Sequence, residues 1–168
     1  LELPPVRAQH IYRERLMFYL DRARNSDTRL TLVSAPAGFG KSSCLIAWAH
    51  RLRQEDTLVA WYALDDRDND AARFTGYLVE AFRSLSMSFP SLPEDHEQIG
   101  LHEAISYILN AAATLNNPVI LILDDYHLIV EPRIHEAISM MVEYLPENMR
   151  LVISTRADPP LQLARLRS

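Results

Sequence analysis

The sequence predicts an α/β fold, a parallel sheet with helices packed on both faces. Three observations carry that expectation. Short β-rich runs alternate with stretches of helical periodicity, and parallel strands need such crossovers. The run Val119-Ile120-Leu121-Ile122-Leu123 is continuously aliphatic, as a strand buried on both faces must be. Finally, the runs end in glycines, acids or hydroxyl residues, which places the chemistry beyond the C-terminal ends of the strands, where ligands bind in open α/β sheets.

Taken in order, residues 12–24 read as a helix, with Leu16, Tyr19, Leu20 and Ala23 at helical spacing. Residues 29–34 form a first strand that stops at Ala35-Pro36-Ala37-Gly38. Residues 42–53 return to helix and bury Leu45, Ile46, Trp48, Ala49 and Leu52. Residues 57–64 are a second strand. Two helices follow, over 71–85 and 99–115, separated by the breaker Phe89-Pro90-Ser91-Leu92-Pro93. The third strand is 119–123, a helix spans 133–144, and a fourth strand covers 151–154.

The 168 residues suit one domain, and a 48% hydrophobic content is enough for a core. A net charge of −5 gives no global electrostatic reason to bind DNA or an anionic membrane. The single cysteine, Cys44, excludes an intrachain disulfide and points to a reducing, cytoplasmic setting. The longest apolar run, residues 58–64, is far short of the about 20 residues that cross a bilayer. No initiator Met is present, so the expectation is a single domain over residues 1–168 cut from a longer protein.

Ala35-Pro36-Ala37-Gly38-Phe39-Gly40-Lys41-Ser42 fits the phosphate-loop pattern G-x-x-x-x-G-K-[ST] with Ala35 in place of the first glycine. Pro36 helps fix the turn that a glycine would otherwise permit. Gly38 and Gly40 let successive amides turn inward around an anion, and the following helix adds its unpaired amides and positive dipole end. The cradle is therefore Ala37, Gly38, Phe39, Gly40, Lys41, Ser42 and Ser43. Lys41 is assigned to the β- and γ-phosphates, the Ser42 hydroxyl to Mg²⁺, and Ser43 to the α-phosphate side. The competing reading is a plain strand–turn–helix connection.

The third strand ends in Asp124-Asp125, the pattern of a Walker B segment. Asp124 is assigned to Mg²⁺ opposite Ser42, and Asp125 to orienting or activating the attacking water. The alternative is that both acids merely solvate a strand end. The fourth strand ends Ser154-Thr155-Arg156, and Arg156 is expected to pair with a γ-phosphate and so to tell ATP from ADP. A surface salt bridge is the plainer alternative.

Asp66-Arg67-Asp68-Asn69-Asp70 opens like a calcium loop, yet Ala71 stands where glycine is needed and Tyr77 where the closing glutamate belongs. Capping of the next helix explains these acids better. The six histidines lack metal-like spacing, and His127 only lies near the site. Cys44, Trp48 and Trp61 read as packing, and Arg156, Arg165 and Arg167 make no nucleic-acid patch.

Four segments together resemble the STAND-class NTPase domain of MalT-like regulators, the large ATP-binding regulators of the LuxR family. They are residues 34–42, residues 64–74, Leu123-Asp124-Asp125-Tyr126-His127, and Ser154-Thr155-Arg156-Ala157-Asp158-Pro159-Pro160. The resemblance runs from about residue 11 to residue 165. It implies a P-loop NTPase three-layer sandwich with core strand order 1-4-3-2 and a fifth strand beyond residue 168. Ile11-Tyr12-Arg13-Glu14-Arg15-Leu16 resembles the family's segment near the base, which puts Arg13 at the nucleotide. The family further implies an ATP/ADP switch with slow hydrolysis, self-association when ATP is bound, and DNA binding only through a C-terminal domain. Adenine specificity comes from this resemblance alone. A small-molecule phosphotransferase and an assembly scaffold unconnected to transcription remain the alternatives.

Overall fold

The computed structural model describes residues 2–6, 14–85 and 99–161. Helix α1 is Glu14–Arg24, β1 Leu30–Ser34, α2 Lys41–Gln54, β2 Leu58–Ala63, α3 Ala71–Arg83, α4 Leu101–Ala113, β3 Val119–Asp124, α5 Pro132–Glu143 and β4 Met149–Thr155. Short 3-10 turns, Asp66–Asn69 and Tyr126–Leu128, follow β2 and β3.

The four strands are parallel in the order β1-β4-β3-β2, as the resemblance implied. Because side chains alternate across a strand, each strand supplies both faces. Ala60, Tyr62, Leu121, Leu123, Leu151 and Ile153 face a core built with α3, α4 and α5. Val33, Val59, Trp61, Ile120, Ile122 and Val152 face a second core built with α1 and α2. The result is a three-layer αβα sandwich. All six residues of β3 are buried, which is why its sequence is aliphatic without alternation.

Most element boundaries shift by one or two residues from the expected ones, and the fourth strand is instructive. The fourth strand begins at Met149 rather than Leu151, because Met149 and Arg150 pair with Val119 and Ile120 of β3. Register with a neighbour extends a strand that propensity alone cuts short. The acids before α3 cap, as expected. Asp70 accepts from the Arg73 amide at 2.8 Å, and Asp65 and Asp68 close a reciprocal capping box around the turn Asp66–Asn69. Cys44, Trp48 and Trp61 are all buried in the α1/α2 core. Trp48 Nε1 donates to Asp21 Oδ1 at 2.9 Å, so its one polar atom ties α2 to α1.

Candidate nucleotide-binding site

The loop between β1 and α2 bends because two glycines take left-handed backbone angles, φ 82° at Gly38 and 73° at Gly40. Helix α2 starts directly after Gly40, its N-cap, with no side-chain cap and no acid in its first turn. Its first intrahelical bond is Cys44 N to Gly40 O at 3.0 Å, so the amides of Lys41, Ser42 and Ser43 precede the helical ladder. By contrast, α3 and α5 are capped by Asp70 and Glu131. An uncapped, acid-free N-terminus behind a glycine turn is suited to an anion.

Lys41 is 8% exposed, and its ammonium donates to the carbonyls of Ala35 at 2.6 Å and Pro36 at 3.1 Å. Those bonds tie the ammonium to the backbone at the start of the loop. Ala37, Gly38, Phe39 and Gly40 are exposed along the loop, and so is Ser43.

The Walker B acid meets this loop from β3. Ser42 Oγ donates to Asp124 Oδ1 at 3.0 Å, and Ser154 Oγ, from the tip of β4, donates to the same oxygen. Asp124 is 5% exposed, and burial pushes its carboxyl above the ordinary value while the hydroxyls of Ser154 and Ser42 pull it back down. No lysine or arginine forms an ion pair with it among the described residues. A buried carboxylate beside a hydroxyl, without a cationic side chain, is an oxygen donor set that fits a hard divalent cation.

Asp125 adopts a left-handed conformation, φ 58°, and its amide donates to Asp124 Oδ1 at 3.1 Å and to Ser154 Oγ at 3.2 Å. Its carboxylate is 39% exposed and lies 3.8 Å from His127 Nδ1. Arg156 follows β4 at the same end of the sheet and is exposed. It takes part in no ion pair among the described residues, so the plain surface salt bridge is not formed there. The structure therefore brings Lys41, Ser42, Asp124, Asp125 and Arg156 to one rim. Arg13 lies outside the described residues, as do Arg165 and Arg167.

Sequence reasoning gave no role to Ser154 or Asn69, and placed His127 only near the site. Ser154 was visible only as a polar residue closing an apolar strand. The Asn69 amide nitrogen donates to Asp66 O and Leu128 O, both at 2.9 Å, and its oxygen accepts from Val130 N at 2.6 Å and Glu131 N at 3.0 Å. One side chain thus fastens the loop after β2 to the loop after β3, a pairing that sequence separation conceals. A cavity of about 450 Å³ lies elsewhere, against α5, lined by Ile129, Pro132, His135, Ser139 and Pro160. Phosphate loops bind through amides on an open rim rather than by enclosure, so that cavity does not compete for the role.

A profile described as "AAA ATPase domain" matches residues 5–154. The regulators described as "HTH-type transcriptional regulator MalT" from Yersinia pestis (strain Pestoides F) and Serratia proteamaculans (strain 568) are each 36% identical over 97% of this chain. The chain spans only 18% of their length. Among solved structures, Cdc6p from Pyrobaculum aerophilum superposes with a TM-score of 0.61 at 17% identity, over 96% of this chain and 45% of that one. The Aeropyrum pernix Orc1 protein, solved in complex with DNA, gives 0.59 at 16% identity, over 92% and 42%. At such identities these structures support the P-loop NTPase fold alone, whereas the similarity to MalT bears out the resemblance drawn from the four motif segments. With the profile covering most of its length, the chain belongs to the AAA ATPase domain family.

Proposed function

We propose that this domain binds ATP or ADP with Mg²⁺ and serves as the nucleotide-dependent switch of a cytoplasmic transcriptional regulator. The observation that carries the reading is the uncapped α2 N-terminus behind left-handed Gly38 and Gly40, opposite the Ser42–Asp124 pair. Amides from Ala37 to Ser43 and the Lys41 ammonium would hold the phosphates. Ser42 and Asp124 would hold Mg²⁺, which when bound neutralises phosphate charge. Asp125 would orient a water, and Arg156 would pair with the terminal phosphate. Arg13 is proposed at the base on the family resemblance.

Hydrolysis is expected to be slow, since a switch needs two lasting states. Self-association in the ATP state, a DNA-binding C-terminal domain and membership of a longer multidomain chain are proposed from the similarity to MalT. The runner-up, phosphoryl transfer to a small molecule, is not favoured by the described part of the β2-to-β3 region, where Arg67 and Arg73 are paired with Asp65 and Asp68 rather than presented to a substrate.

The test is calorimetric titration with ATP and ADP, with and without Mg²⁺. Binding that disappears in Lys41→Ala, with turnover of minutes or slower, supports the switch. Rapid phosphorylation of a second substrate would replace it with the phosphotransferase reading, and no binding at millimolar nucleotide to full-length protein would end both.

A further inference from the structure

His127 sits in the turn Tyr126–Leu128, three residues past Asp124. Its side chain is only 14% exposed, and both ring nitrogens are buried without a hydrogen-bond partner. Buried polar atoms are nearly always paired, so an imidazole with neither nitrogen satisfied calls for a reason.

The ring is not loosely held. The turn closes through Leu128 N to Asp125 O at 3.1 Å and Ile129 N to Tyr126 O at 3.0 Å. On one side Tyr126 is buried and bonded to His135 Nδ1 at 2.9 Å, and on the other Asn69 donates to Leu128 O. The backbone on both sides of the imidazole is thus fixed by other residues. A ring held in place with no hydrogen-bond partner, its nearest charged neighbour being the Asp125 carboxylate 3.8 Å from Nδ1, is preorganised for a ligand.

The groups around it say which ligand. Asp125 lies 3.8 Å away, and the charges of Arg156, Lys41 and Asp124 all act on the ring. Desolvation first, then Arg156 and Lys41, hold its pKa below the usual histidine value. A neutral imidazole keeps one N–H donor and one acceptor nitrogen.

We propose that His127 is a further nucleotide-contacting residue, donating a hydrogen bond to the terminal phosphoryl group of a nucleoside triphosphate and thereby favouring triphosphate over diphosphate. This rests on the nucleotide-binding reading above and adds to it a directional contact, where Arg156 supplies charge.

The experiment titrates the full-length protein, wild type, His127→Phe and His127→Gln, with Mg²⁺ and either ADP or the non-hydrolysable triphosphate AMP-PNP. His127→Phe keeps the packing and removes the donor. It should leave ADP affinity within about twofold and weaken AMP-PNP by about tenfold, the loss expected for a charge-assisted hydrogen bond. His127→Gln, which retains an N–H, should recover much of that loss. Equal losses for both nucleotides, or an unchanged preference, overturn the proposal. In the wild type, the His127 ring ¹⁵N resonances should shift with AMP-PNP and not with ADP, and the absence of a selective shift also overturns it. If the wild type binds neither nucleotide, the nucleotide-binding reading itself fails and takes this contact with it. Normal ADP binding with no His127 effect removes only the contact.

Discussion

The Ser154 hydroxyl donates to Asp124 Oδ1, the oxygen that also takes the Ser42 hydroxyl at 3.0 Å and the Asp125 amide at 3.1 Å. Three donors from β4, α2 and the chain itself converge on one buried atom, so the Walker B acid is aimed before any cation arrives. Ser154→Ala should lower stability by about 1–3 kcal/mol, because it strips a donor from a desolvated carboxylate and a partner from the Asp125 amide. Urea unfolding checks this, and an unchanged midpoint would mean the contact contributes nothing.

Gly38 and Gly76 should respond to alanine in opposite directions. Neither has an atom within 4 Å of an added Cβ, so space does not separate them. Gly38 sits at φ 82°, where an L-residue is strained by about 1–2 kcal/mol. Gly76 lies inside α3, where alanine should stabilise by about 0.4–1 kcal/mol. Thermal unfolding of the two variants measures the difference, and Gly38→Ala should also weaken nucleotide binding by distorting the amide cradle.

Lys41→Ala and Arg156→Ala should separate by nucleotide. Lys41 is buried and tied to the loop backbone, and its removal should cost about a hundredfold in affinity for both ATP and ADP. Arg156 is exposed at the β4 tip, and its removal should erode ATP preference while sparing ADP. Equal losses for the two nucleotides in Arg156→Ala would count against a sensor role.

Asn69→Ala removes all four bonds of the clasp and should destabilise by about 1–3 kcal/mol. Asn69→Asp is expected to do no better, since a carboxylate can accept from Val130 and Glu131 but cannot donate to Asp66 O or Leu128 O. Amide hydrogen exchange at Val130 and Glu131 should accelerate in both variants. Unchanged exchange would show that the loop is held by other contacts.

Stability should fall on the acid side through His135. Burial lowers its pKa beneath the ordinary 6.5, so below that value the unfolded chain takes up a proton that the folded chain resists. The stabilisation is therefore present above pH 6.5 and is lost as the pH drops towards the folded pKa. The slope this one group adds cannot exceed about 1.4 kcal/mol per pH unit. His135→Gln should flatten the curve between pH 6.5 and 5, and an unaltered curve would assign the acid sensitivity to other groups.

Sequence by itself determined the elements and the phosphate loop of this protein. Strand runs such as Val119–Asp124, the glycines at 38 and 40, and the Lys41-Ser42 pair are local signals, each set by backbone sterics and burial within a few residues. The resemblance added strand order, which periodicity cannot supply. Only the tertiary structure decided what meets across the chain. Ser154 reaches Asp124 because β4 lies beside β3, 30 residues apart in sequence. Asn69 reaches Leu128 across 59 residues because β2 and β3 are neighbours whose loops leave the same edge. His127 looked incidental in the sequence, since only packing reveals that its ring is buried with neither nitrogen in a hydrogen bond. Such pairings depend on strand adjacency and on which water is excluded. Both are properties of the assembled sheet rather than of any segment in it.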